Sequence, residues 1–164
     1  MREIVDVNTG EVKVGGKNII LRSLAIGSCI VIAAYDLKKK IGAMAHVMLP
    51  GRAPEKTSEK TRYAADAIDK MINKMIVAGS NKDDIDVCLV GGGNVLKRKD
   101  DTICKDNIES TTRLLEKKQI PVRSTVLGGT ERKGVFLDVE SGVISYTEGD
   151  GREQPLWEPR QTAG

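Results

Sequence analysis

The sequence predicts an α/β fold built from short buried strands and two long helices. Two apolar runs rich in β-branched residues, 30–35 and 41–49, flank the charged segment 36–40, a pattern typical of a hairpin of buried strands. Between residues 64 and 76, apolar residues recur every three or four positions, as on the core-facing side of a helix. The 164 residues suffice for one ordinary domain with a real core.

Short strands are predicted before the hairpin. Residues 3–7 and 11–14 are strand-like on either side of the turn Asn8-Thr9-Gly10. A longer strand, 19–26, then brings Ser23 towards the start of the hairpin. The N-terminal part of the chain is therefore expected to place Ser23 and Cys29 in the same neighbourhood.

The hairpin holds the first cysteine, Cys29, and the only histidine, His46. If Tyr35 pairs with Lys40 across the loop 36–39, Cys29 lies directly opposite His46, with Cβ atoms about 4.5–5.5 Å apart. A slip of one residue would put the two side chains on opposite faces, so the expected contact depends on the loop.

Helices and strands alternate after the hairpin. The first helix is expected to be capped by Thr57 or Ser58 and ended by Gly79, and the second to take Asn107 as its N-cap. The glycine run 91–93 is not followed by the G-K-[ST] of a phosphate-binding loop. The predicted elements are helices at about 59–78 and 107–118 and strands at 86–90, 122–127, 135–139 and 143–147.

A cysteine beside a histidine is suited to nucleophilic catalysis. The imidazole can take the thiol proton, and the thiolate is the nucleophile. Gly27 permits close approach to the backbone, and the amides around Ser28 and Cys29 could stabilise an oxyanion. The alternative is structural, because free cysteine is often buried and a lone histidine on a strand is often a core residue.

The motif around the hairpin resembles that of the CheD family of chemotaxis proteins. The segment GSC, an apolar strand and then GAMAHVMLP carry the resemblance, through Gly27, Ser28, Cys29, Gly42, Ala43, Ala45, His46 and Pro50. The resemblance implies two mixed β-sheets flanked by helices, similar to the cysteine-hydrolase core of cytotoxic necrotizing factors. It implies catalytic roles for Cys29 and His46, with Ser23 at the position where the family has a threonine.

The resemblance also implies a function. Family members hydrolyse selected glutamine side-chain amides on methyl-accepting chemotaxis receptors, here through a Cys29 thioester and without a cofactor. Receptor methyl esters are a further expected substrate, because the acyl-enzyme would be the same. Chemoreceptors and a CheC-type phosphatase are the expected partners.

Two departures from the family pattern leave an alternative open. The family has Asp-x-Gly-Gly-x-x-Gly-Arg where this chain has Val126, Gly128-Gly129 and Arg132-Lys133, and Cys104 stands where the family usually has glycine. Neighbouring lysines could lower the pKa of Cys104 and leave it reactive in solution, whereas Cys88 is expected to be an inert core thiol. The altered loop and Ser23 favour, as the alternative function, a regulatory module that binds receptors or CheC with little or no catalysis.

The composition and charge of the chain disfavour several other classes of protein function. The net charge of +3 is spread along the chain without a basic block, which disfavours nucleic acid as a partner. Three irregularly spaced cysteines and one histidine predict neither a disulfide framework nor a metal site. No apolar run approaches the roughly 18 residues that span a bilayer, so no membrane insertion and a cytoplasmic location are expected.

We expect one domain over 1–150 and a loosely ordered tail over 151–164, with Trp157 packed back onto the sheet.

Overall fold

The chain forms two five-stranded sheets and two helices in a computed structural model, which describes residues 2–160. The strands are β1 (Glu3–Asp6), β2 (Val12–Gly15), β3 (Ile19–Ile26), β4 (Ile30–Asp36), β5 (Ile41–Val47), β6 (Asp86–Gly91), β7 (Val122–Leu127), β8 (Lys133–Asp138), β9 (Ile144–Glu148) and β10 (Gln154–Trp157), and the helices are α1 (Ala64–Val77) and α2 (Thr102–Lys117). The predicted α/β class is confirmed. No helix within residues 2–160 is long and apolar enough to cross a bilayer.

Both sheets are mixed, as the resemblance implied. The first has the strand order β1-β3-β8-β9-β10, with β1 parallel to β3 and the other pairs antiparallel. The second has the order β2-β5-β4-β6-β7, in which only β6 and β7 are parallel. The consecutive strands β1 and β2 do not form a hairpin, because each pairs in a different sheet.

The core has two layers, one on each face of the second sheet. Even-numbered residues of β4 (Ile30, Ile32) pack with α1 and α2, and odd-numbered ones (Val31, Ala33) face the first sheet. Every residue of β4 is therefore buried, which explains its unbroken apolar run. The layer between the sheets, called the inter-sheet core, contains Val7, Leu21, Ile26, Val31, Ala33, Tyr35, Met44, Cys88, Val90, Val135, Leu137, Val139 and Ile144.

The predicted helix starts were wrong. Helix α1 begins at Ala64 after the extended residue Tyr63, and a 3-10 turn at Lys60–Arg62 precedes it. Its predicted end is confirmed, since Gly79 follows the C-cap with φ of 121°. Helix α2 begins at Thr102, so Asn107 is not an N-cap but a fully buried residue inside the helix.

The segment that we expected to be a loosely ordered tail contributes a strand. Within it, β10 pairs with β9 and extends the first sheet past residue 150. Trp157 is half-buried and packs against the inter-sheet core, as predicted. Residues 161–164 of the predicted tail lie outside the described residues.

Candidate active site

His46 reaches across the layer between the sheets to Ser23. Its Nδ1 lies 2.8 Å from the Ser23 hydroxyl and 3.3 Å from the backbone carbonyl of Val7. The same hydroxyl donates to the Val7 carbonyl over 2.7 Å. Ser23 and His46 are both buried, so the structure joins these two predicted site residues in a contact shielded from water.

This hydrogen-bond pattern assigns the histidine tautomer. The serine hydroxyl has one hydrogen, which the Val7 carbonyl accepts, since a carbonyl cannot donate. The short contact to Ser23 then requires that Nδ1 carry the imidazole proton and donate it to the serine oxygen. Nε2 of the neutral ring therefore keeps a free lone pair, which a general base needs.

Backbone bonds hold His46 firmly in place. Its amide donates to the carbonyl of Glu11 over 3.1 Å, and its carbonyl accepts from the amide of Gly10 over 2.8 Å. The segment that carries Val7 thus fixes both the main chain and the ring of His46. A mobile imidazole would spend much of its time out of reach of a reacting atom.

The hairpin is confirmed, but its predicted register was wrong by two residues. Asp36 pairs with Ile41 across the loop 37–40, so Val31, not Cys29, stands opposite His46. Cys29 lies just before β4. A shift of two preserves which face a side chain points to. Accordingly, Cys29 packs against the inter-sheet core, on the side from which His46 reaches Ser23.

The three carbonyls of the Cys29 loop (Gly27, Ser28 and Cys29) are all bound to other parts of the chain. The carbonyls of Gly27 and Cys29 accept from the amides of Gly93 and Gly92, over 2.9 and 2.8 Å. The Ser28 carbonyl accepts from the Asn107 side chain over 3.0 Å.

In a trans peptide, the carbonyl and the following amide point in opposite directions. The amides of Ser28 and Cys29 therefore point away from these partners, and neither donates to a backbone carbonyl within residues 2–160. Two amides that are not tied to a carbonyl and lie beside a thiol can act as the oxyanion donors that the sequence predicted.

Gly91 is required by the close approach of β6 to the Cys29 loop. A Cβ at this position would lie 2.1 Å from the Cys29 carbonyl oxygen, and φ is 136°. Only glycine fits both constraints. The glycine run 91–93 thus serves to support the Cys29 loop.

Burial shifts the pKa values of the Cys29 thiol and the His46 imidazole in the directions that favour their neutral forms. Burial raises the pKa of the Cys29 thiol, although the backbone amide of Cys29 itself opposes the shift. Burial lowers the pKa of His46, against smaller opposing effects of the Val7 carbonyl and Glu11. Both shifts favour a neutral thiol and a neutral imidazole over an ion pair.

The other two cysteines are core residues. Cys88 is fully buried in β6, as predicted, and burial raises its pKa to about 12. The expectation of a reactive Cys104 is wrong, since only 3% of this residue is exposed and burial raises its pKa to about 11. Cys104 lies within α2 and not before it, and it is one of the buried residues of that helix.

The divergent glycine loop is held by a buried lysine. Nζ of Lys133 donates to the carbonyls of Gly128 and Glu131 over 2.5 and 3.1 Å, and the residue is 2% exposed. The Gly129 carbonyl in turn accepts from the amide of Asn94, just beyond the run 91–93. A basic side chain therefore supports this loop even though the motif differs from the family pattern.

Sequence reasoning missed Asn107 and Lys133 as residues that support the site. A signal for Asn107 was present, because Cys104, Asn107, Thr111 and Leu115 form a buried stripe with helical spacing. Polar residues in such a stripe are unusual and indicate specific partners. The signal for Lys133 was its place in the divergent glycine motif, where the family pattern ends in arginine.

Comparison with known proteins identifies the family to which this chain belongs. A model of the family described as CheD chemotactic sensory transduction matches residues 48–148, more than half of the chain. This chain belongs to the CheD family. The matched segment includes Gly91, Asn107 and Lys133 and begins two residues after His46.

Curated CheD relatives extend the likeness towards the N-terminus. A protein of Chlorobium luteolum is 39% identical over 151 residues, which are 92% of this chain and 75% of that protein. An alignment of that length must include residues 23–46. Proteins of Methanococcus maripaludis and Archaeoglobus fulgidus are 32% and 31% identical to this chain, and the matches cover 96% and 93% of those proteins. All three are named "Probable chemoreceptor glutamine deamidase CheD".

One solved structure resembles the chain more distantly. The Bacillus licheniformis hypothetical protein YfiH matches with a TM-score of 0.46 at 16% identity, over 77% of this chain and 58% of that protein.

Proposed function

We propose that this CheD protein hydrolyses the side-chain amides of selected glutamines on methyl-accepting chemotaxis receptors. Membership of the CheD family and the names of its relatives support the reaction class and the substrate. The observation that carries the proposal to particular residues is the Ser23–His46 contact, which leaves Nε2 of the imidazole free on the side of the sheet where Cys29 lies.

The reaction begins with proton transfer from the Cys29 thiol to Nε2 of His46. The thiolate attacks the carboxamide carbon of the glutamine, and the amides of Ser28 and Cys29 stabilise the oxyanion that forms. The imidazolium then gives its proton to the leaving nitrogen, so that ammonia departs and a thioester remains. His46 next takes a proton from water, whose oxygen attacks the thioester. The carbon–sulfur bond then breaks to leave a glutamate, and the imidazolium returns its proton to the Cys29 thiolate.

Ser23 acts on the imidazole rather than on the substrate. Its oxygen accepts a hydrogen bond from the Nδ1–H group in both charge states of the ring. The Val7 carbonyl holds the hydroxyl in the orientation that this hydrogen bond requires. The Ser23 contact therefore keeps Nε2 directed towards the thiol and stabilises the imidazolium when it forms.

Further parts of the proposal follow from the family resemblance. The same thioester would form from a glutamate methyl ester, with methanol as the leaving group in place of ammonia. A CheC-type phosphatase is the proposed regulatory partner, and the cytoplasm is the proposed location. The steps above use this chain's own side chains and a water molecule, without a cofactor.

Mass spectrometry of a receptor fragment tests the function. A purified cytoplasmic fragment of a chemoreceptor, incubated with the protein, should gain about one mass unit at each modified glutamine, as expected for an amide converted to an acid. A Cys29→Ala variant should leave the fragment unchanged, and a Cys104→Ala variant should retain deamidation. An unchanged fragment with the natural protein, or equal gain with Cys29→Ala, would contradict the proposal.

A further inference from the structure

Asn107 is an unusual residue for the middle of a helix. It is fully buried in α2, where asparagine is a weak helix former and an unpaired polar group is costly. Its amide nitrogen Nδ2 donates twice, to the carbonyls of Ser28 and Met48, each over 3.0 Å. Both carbonyls can only accept, so they fix the orientation of the carboxamide.

These two carbonyls belong to the two segments that carry the candidate catalytic pair. Ser28 immediately precedes Cys29, and Met48 lies two residues after His46. The ladder between β4 and β5 ends at the pair of Ile30 and Val47. Asn107 therefore links the strands again just beyond the point where their own hydrogen bonds stop.

The bond to Ser28 also sets the direction of a candidate oxyanion donor. Because the peptide between Ser28 and Cys29 is trans and planar, holding the Ser28 carbonyl against α2 directs the Cys29 amide away from the helix. Without Asn107, this peptide could rotate, and the Ser28 and Met48 carbonyls would each lose the donor that α2 supplies.

We propose that Asn107 is a positioning residue that sets both the separation of Cys29 from His46 and the direction of the Cys29 amide. This inference rests on the proposed deamidase function. Asn107 acts through the Cys29 loop and the end of β5 and does not contact the reacting atoms. Its loss should therefore lower kcat more than it changes KM, since the transition state needs the geometry that the bridge maintains.

Asn107→Leu tests the bridge, because leucine is similar in size and cannot donate. The matched control is Thr111→Val, which alters a buried side chain one turn further along the same face. The Thr111 hydroxyl has no hydrogen-bond partner within residues 2–160. On a chemoreceptor cytoplasmic fragment, Asn107→Leu should lower kcat by about 100-fold, the cost of a misplacement of about 1 Å, with KM within about 2-fold. Thr111→Val should retain kcat.

Iodoacetamide labelling provides a readout that needs no receptor. Loosening the Cys29 loop should expose the thiol, so Asn107→Leu should alkylate faster at Cys29 while Cys88 stays unlabelled. Faster labelling confined to Cys29, together with slower deamidation, is not expected of a residue that only adds overall stability. Labelling of Cys88 as well would show general unfolding and would contradict the local role. Unchanged kcat and unchanged Cys29 labelling would overturn the proposal.

Hydrogen exchange in the natural protein tests the Asn107 bridge even if the Asn107→Leu variant does not fold. The Asn107 carboxamide protons should exchange at least about 100-fold more slowly than those of Asn73, which is exposed on α1. Equal exchange rates would show that the bridge does not form. If the natural protein fails to deamidate the fragment, the proposed function is contradicted, and the labelling and exchange results alone decide the role of Asn107.

Discussion

Ser23 in the first sheet and His46 in the second are joined by a 2.8 Å contact between the serine oxygen and Nδ1 of the imidazole. This contact couples the two sheets at the point where the chemistry is proposed. Through this contact Ser23, at the position where the family has a threonine, is proposed to orient the imidazole. The first prediction concerns this contact.

Ser23→Ala should lower kcat by roughly 10-fold to 100-fold, the range seen when the partner that orients a metal-bound histidine is removed. Some activity should remain, because the Val7 carbonyl still lies 3.3 Å from Nδ1. Ser23→Thr should retain activity, since it keeps the hydroxyl. The control is Ser145→Ala, which removes a buried serine of the same sheet that bonds to Glu153. An equal loss in both alanine variants would contradict a specific role for Ser23.

The second prediction concerns the three thiols. Cys29 should react with iodoacetamide at least about 10-fold faster than Cys88 and Cys104, because it is partly exposed and they are buried with pKa values of about 12 and about 11. Burial also raises the pKa of Cys29, so it should react more slowly than free cysteine. Peptide mass spectrometry after short labelling measures all three rates. Comparable labelling of Cys104 would be incompatible with the packing of α2.

The third prediction concerns pH. Burial lowers the pKa of His46, so Nε2 stays free to accept a proton until the solution is more acidic than the ordinary histidine value of about 6.5. Burial raises the pKa of Cys29, so the thiol keeps the proton that His46 must take throughout neutral pH. The value of kcat/KM should thus be constant around pH 7 and fall only below about pH 6.5. Measuring kcat/KM from about pH 5 to about pH 9 checks this. An acidic midpoint above the ordinary histidine pKa would refute the neutral resting pair.

The fourth prediction concerns Gly91. Gly91→Ala should lower the free energy of unfolding by at least about 2 kcal/mol, since the added Cβ would overlap the Cys29 carbonyl and φ is unfavourable for alanine. Gly16→Ala is the control, because a Cβ there would meet no atom within 4 Å. Denaturant titration followed by circular dichroism gives both values. Similar stability of the two variants would show that the Cys29 loop does not need this close approach.

Part of this site was predictable from the sequence because its signals are local. The apolar runs around residues 36–40 predicted the buried hairpin, and the GSC and GAMAHVMLP segments singled out Cys29 and His46. Loop length alone does not determine strand register, which is why the pairing was two residues out. The shift of two left Cys29 and His46 on the same side of the second sheet, while their direct cross-strand pairing was wrong.

The remaining features depend on packing between distant segments. The Val7 carbonyl that fixes the Ser23 hydroxyl comes from a segment between strands of different sheets, and no local pattern predicts that meeting. Taking Asn107 as an N-cap displaced the start of α2, and this one error concealed both the burial of Cys104 and the bridge to the Cys29 loop. Helix ends are hard to place where, as at Asp101, the N-cap side chain makes no capping bond.

The central claim is that Cys29 forms a thioester with a receptor glutamine, and trapping with hydroxylamine tests it most directly. Hydroxylamine attacks thioesters readily, so in its presence the natural protein should convert modified glutamines of a receptor fragment to hydroxamates in competition with glutamates. His46→Ala and Cys29→Ala should give neither product. Glutamate formation that hydroxylamine does not divert, or hydroxamate formation by Cys29→Ala, would contradict a thioester at Cys29.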